Sequence, residues 1–167
     1  MKTLLLAGLA LCSLFAAPLN AAEVKKKPKP PATPVLFGGW AAGKTFSYTV
    51  TDVVSSAVSG IGGTAVPVPV PKGIPAYTLG ERVTFTIGKK GELLAPKGLN
   101  IAFKADGGNV NSYVKLPTAK APTPHSALVW KNPSTNEPTG GAALTFFLVK
   151  RGKGFNVTVT TVNYMLQ

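Results

Sequence analysis

From Thr45 to the C-terminus, apolar and polar residues alternate with period two in runs broken by glycine, proline and asparagine. Successive side chains of a strand point to opposite faces, so this is the pattern of strands buried on one side and wet on the other. In TFSYTVTDVV, Phe46, Tyr48 and Val50 share one face, and Thr45, Ser47, Thr49 and Thr51 the other. RVTFTIGKKGELL places Val83, Phe85 and Ile87 together, turns at Gly88 to Gly91 and resumes at Glu92. A second hairpin is predicted around Asp106-Gly107-Gly108, and a third around Lys150 to Gly154. SALVWK adds a strand between two proline-containing loops, with Trp130 following Leu128 into the core. No later window shows helical spacing. About eight mainly antiparallel strands follow, in one all-β domain over residues 35–167. The expected form is a β-sandwich, immunoglobulin-like or jelly-roll-like, with a barrel as the alternative.

Three segments depart from simple alternation. SSAVSGIGGTA, Ser55 to Ala65, is small and glycine-rich and reads as a mobile loop. In VPVPVP, Pro67, Pro69 and Pro71 remove donors from one edge of an extended chain while Val66, Val68 and Val70 keep theirs on the other. That describes an edge strand able to pair on one side only, or else a free polyproline segment. In the last strand, Phe155, Val157 and Val159 share a face, but Val162, Tyr164 and Leu166 fall on the opposite one. A period-two register cannot switch faces unaided, so a β-bulge is predicted near Thr160 and Thr161.

The first 22 residues differ in kind. One lysine, an apolar run from Leu4 to Ala17, Pro18, and small residues at Ala21 and Ala22 make a secretory signal peptide. Cys12, the only cysteine, lies within it, so the exported chain is expected to lack disulfides; its neighbour Leu11 argues against a lipid-attachment signal. Residues 23–34, EVKKKPKPPATP, have no apolar periodicity and read as an extended lysine- and proline-rich tether. At about 3.1 Å per residue it would reach about 35 Å.

The chain carries 18 basic and 6 acidic residues, a net charge of +12. Thirteen basic and five acidic residues leave +8 on residues 35–167 alone. A field of this sign attracts anionic cell-envelope polymer or polysaccharide without selecting among them. Lys25, Lys26, Lys27 and Lys29 are the expected tether contacts.

Candidate chemistry is sparse. GGWAAGKT, Gly38 to Thr45, matches the phosphate-binding loop G-x-x-x-x-G-K-[ST], but that loop works by delivering phosphates to a helix N-terminus, and a strand pattern follows instead. No nucleotide is expected, and Gly38 and Gly39 are read as a turn into the first strand. His125 is the sole histidine, so no histidine-based zinc site can be assembled, and the adjacent Ser126 would point to the other face. Asp52, Glu81, Glu92, Asp106 and Glu137 are the carboxylates of the domain; no two are placed together, although Glu81 and Glu92 could approach across a hairpin. Asp106 is read as a turn residue, and the sequon at Asn156 as coincidental. Trp40, in a glycine loop, is the best candidate for an exposed binding aromatic. Neither a cofactor, a metal nor specific nucleic acid is expected. The function expected is a non-enzymatic binding or structural module, exported to the periplasm or beyond. A carbohydrate-binding or adhesion module using Trp40 and a small carboxylate-dependent hydrolase are the alternatives.

Overall fold

The computed structural model describes residues 33–118, 123–154 and 156–167. Residues 1–32, on which the signal-peptide expectation and most of the tether expectation fall, and Phe155 lie outside the described residues. Thr33–Gln167 is one compact unit. Among the described residues all regular elements are strands: β1 (Leu36–Phe37), β2 (Trp40–Ala41), β3 (Thr45–Ser59), β4 (Val66–Pro67), β5 (Arg82–Ile87), β6 (Leu93–Ala95), β7 (Leu99–Asp106), β8 (Val110–Lys115), β9 (His125–Lys131), β10 (Pro138–Arg151) and β11 (Val157–Leu166).

From β5 to β11 each strand pairs antiparallel with the next, and the series closes at β3. Thr45–Thr49 of β3 pair with β5, while Val50–Ser59 pair with β11. Strand β7 likewise passes from β6 to β8. The result is an all-β, antiparallel architecture of eight main strands, as the alternation predicts. It has two layers sharing β3 and β7, and its ladder closes as in a barrel. At eight strands such an interior is just wide enough for side chains to fill. Phe85, Ile101, Tyr113, Leu144, Phe146 and Tyr164 are among those that fill it, each no more than 1% exposed.

The three predicted hairpins form, with Ile87 opposite Leu93, Asp106 opposite Asn111, and Arg151 opposite Val157. VPVPVP is an edge strand at Val66–Pro67, and the Val68 N–H donates to Ser55 O at 3.0 Å. The valine donors thus face β3, and the prolines leave the outer edge without donors.

Three expectations are corrected. Ser55–Ser59 is strand, because β11 on one side and β4 on the other satisfy its backbone, which small side chains neither require nor prevent. No bulge occurs at Thr160 and Thr161, where the ladders to β10 and β3 run unbroken. Val162, Tyr164 and Leu166 line the core, while Val157 and Val159 lie on the outer face. The irregularity is on the partner strand, where Met165 pairs with Asp52 but Leu166 with Val50, leaving Thr51 over. Finally, Trp130 is not a core residue. Ala127, Val129 and Lys131 point inward, so Leu128 is exposed and Trp130 half-buried on the outside. The inward face carries a lysine, which inverts the apparent polarity of the strand.

Strands that run alternately up and down sort their connections into two ends. Turns 88–91, 107–109 and 132–137 share one end with the β1–β2 hairpin and the C-terminus; connections 60–81 and 96–98, and the described residues 116–118, 123–124, 152–154 and 156, share the other. Trp40 closes the first end. Ile74 and Tyr77 cover the second, where Tyr77 Oη donates to Pro96 O at 3.0 Å and Tyr164 Oη donates to Pro75 O at 2.9 Å.

Candidate functional site

Gly38 and Gly39 form the two-residue turn between β1 and β2, with φ of 56° and 82°. Such a turn needs positive φ at both positions, which glycine supplies without strain. A Cβ on Gly38 would overlap the Asn111 side chain, and one on Gly39 that of Asn136. The Gly38 carbonyl accepts from Lys131 Nζ at 2.8 Å and from Asn111 Nδ2 at 3.0 Å. Lys131 Nζ also donates to Asp106 Oδ2 at 3.0 Å and to Asn136 Oδ1 at 2.9 Å. GGWAAGKT is therefore a hairpin docked on a buried ammonium, and β3 begins directly after Lys44, where a phosphate loop would need a helix. Lys44 itself pairs with Glu137 at 3.1 Å.

Trp40 sits under this hairpin at 0% exposure, its Nε1 donating to Asn136 O and its ring 5.0 Å from that of Phe46. The expectation of an exposed stacking aromatic is corrected: the glycines beside Trp40 shape a tight turn, and the turn folds the indole inward. Lys25, Lys26, Lys27 and Lys29 lie outside the described residues.

The carboxylates are dispersed. Glu81 and Glu92 do not approach one another: Glu92 sits opposite Gly88 across the turn, whereas Glu81 precedes the far end of β5. Glu92 accepts the Lys90 N–H at 2.7 Å. Glu81 is paired with Lys97 at 2.6 Å, and that hydrogen bond, helped by the Thr78 N–H, holds its carboxyl below the usual range. The Lys131 ammonium, followed by the Gly108 N–H, does the same for Asp106. Asp52 lies on the outer face opposite Met165. His125 Nδ1 is 3.1 Å from Thr123 O, its ring tilts against Phe146, and burial pushes its pKa down. Its Nε2 is buried with no partner among the described residues, and Ser126 pairs on the opposite face with Val114 and Thr145. No group of three or more metal-ligating side chains occurs among the described residues.

What the fold does bring together is charge of one sign. At the end holding the β1–β2 hairpin, and on the halves of strands nearest it, lie Lys44, Lys89, Lys90, Lys104 and Lys131 with Glu92, Asp106 and Glu137. Toward the other end, among the described residues, lie Lys72, Arg82, Lys97, Lys115, Lys150, Arg151 and Lys153 with Glu81 and with Asp52, which follows the Arg82 partner Thr49 along β3. Among the described residues, five bases against three acids face seven against two. Linear spacing conceals this, because lysines scattered in sequence meet only through the up-and-down order. The sequence reading also missed Lys131, which no period-two pattern would place inside. Neither family models, curated proteins nor solved structures match the chain.

Proposed function

We propose that this chain is an exported, non-enzymatic module that holds an anionic polymer of the cell envelope through the cationic end of its β-barrel-like domain. Lys25, Lys26, Lys27 and Lys29 of the tether form a second cationic contact. The observation that carries the reading is the polarity of charge: among the described residues, seven basic residues gather toward one end against two carboxylates, of which Glu81 is already paired with Lys97. A potential of one sign over such a surface draws polyanions by long-range attraction. A non-catalytic role is supported by carboxylates that sit apart, most of them held by a lysine or a turn, and by an interior filled with side chains. Export rests on residues 1–22 as read from the sequence.

The test is retention of the full chain on immobilised heparin under a salt gradient. A triple variant Lys150→Gln, Arg151→Gln, Lys153→Gln is expected to elute at clearly lower salt than a matched triple variant at Lys89, Lys90 and Lys104. Equal shifts for both triples would sink the polarity reading. The quadruple glutamine variant at Lys25, Lys26, Lys27 and Lys29 measures the tether's share.

A further inference from the structure

At the cationic end, β3, β11 and β10 continue as a three-stranded ribbon past β9, while β4 flanks β3 as far as Ala57. The last pair of β10 with β9 is Phe146 with His125, and Arg151 lies five residues farther on. At about 3.3 Å per residue β10 runs about 16 Å past that last pair. The ribbon's tip is ordered by Ser59 opposite Thr158, Lys150 opposite Thr158, and the Gly60 N–H donating to Val157 O at 2.9 Å. The turn then presents Ile61, flanked by Gly60 and Gly62, at 104% exposure. On one face of the ribbon Val58, Val159 and Val149 form a cross-strand row, with Val149 half exposed and Val157 beside it. Lys150, Arg151 and Lys153 surround this apolar tip and are exposed. Among the described residues no carboxylate lies in it.

We propose that this tip contacts a lipid bilayer, seating Ile61 at the interface of a membrane rich in anionic phospholipid while Lys150, Arg151 and Lys153 engage the headgroups. The proposal rests on the reading of this end as anion-binding and names the partner that its apolar residues require. A soluble polyanion has use for the cations but none for an isoleucine held wholly in water, whereas a bilayer interface rewards both. A second copy of the chain is disfavoured, because joining two such tips would set three positive charges against three.

The full chain is mixed with vesicles of phosphatidylcholine alone or equimolar with phosphatidylglycerol, and sedimented. Binding is expected only to the anionic vesicles. Ile61→Ser is expected to weaken it about tenfold, the loss of roughly half a buried isoleucine, with heparin retention unchanged. The triple variant Lys150→Gln, Arg151→Gln, Lys153→Gln is expected to weaken vesicle binding on the order of a hundredfold. Ile61→Trp supplies a second readout: its emission shifts to the blue on anionic vesicles and is quenched by brominated acyl chains. Equal vesicle binding by Ile61→Ser and the parent, or emission of Ile61→Trp unmoved by lipid, overturns the proposal. So does self-association of the parent that Ile61→Ser abolishes while neither binds vesicles. If the charge triple leaves heparin retention as in the parent but Ile61→Ser and the triple both lose vesicles, the polymer reading fails and the bilayer contact stands.

Discussion

The Lys131 side chain is 2% exposed, and its ammonium has three acceptors for three donors: Gly38 O, Asp106 Oδ2 and Asn136 Oδ1. Removing one member of such a buried set leaves the others desolvated without a partner, at a cost of about 3 kcal/mol or more. Lys131→Met is therefore expected to lower the melting temperature by roughly 10 °C, measured by circular dichroism. Gly38→Ala is expected to destabilise by about 2 kcal/mol, since it combines a positive φ with overlap on Asn111. Acid acts through Asp106. Its folded pKa lies below the unfolded value because Lys131 and the Gly108 N–H bind the charged form. The stabilisation is complete above the ordinary carboxylate range and is withdrawn as pH falls below about 4 through the folded value. The melting temperatures of the parent and Asp106→Asn are expected to differ at neutral pH and converge under acid. A gap that persists unchanged at low pH would exclude ionised Asp106 as the source.

At the scale of elements, the proline-valine segment shows how one strand can be made one-sided. The Val68 N–H donates to Ser55 O, while the alternate positions on the outer edge are prolines with no N–H to offer. Val68→Pro deletes a ladder bond and is expected to cost about 1 kcal/mol. Replacing Pro67 and Pro69 together by valine leaves that bond in place, so stability is expected to change little. It does restore donors to an exposed edge, and self-association by light scattering is expected to rise. A double variant that stays monomeric at high concentration would show that another feature protects this edge. Strand β11 carries valines on the outside and Val162, Tyr164 and Leu166 inside. Val162→Ala empties space in the core and is expected to cost about 2 kcal/mol, against a few tenths for Val157→Ala on the outer face.

For the whole molecule, closure is decided by the last pairing to form in sequence, β11 with β3, which joins residues about one hundred positions apart. Until it forms, the meander has two open edges. Truncation after Thr158 is expected to abolish cooperative unfolding rather than shave stability, because it removes the strand that both β10 and β3 pair with. Closure also brings the cationic connections to one end, the arrangement on which the binding proposals stand.

Much of this was legible along the chain. Alternation of period two from Thr45, turn residues at 88–91, 106–108 and 150–154, and the one-sided donors of VPVPVP are local properties, fixed by strand geometry and backbone chemistry alone. The all-β class and three hairpins follow from them. What tertiary structure decided is whatever depends on what covers a face. In SALVWK both faces are apolar, and only the inward Lys131, meeting three acceptors from distant turns, selects Val129 over Trp130 for the core. Trp40 reads as a loop aromatic until its turn docks on that same lysine and carries the indole inside. The small residues Ser55–Ser59 extend a strand because β11 and β4 lie on either side to bind their backbone. The partition of charge between two ends has the same origin: each lysine is visible in sequence, but proximity is set by which strands run up, which run down, and where the ladder closes.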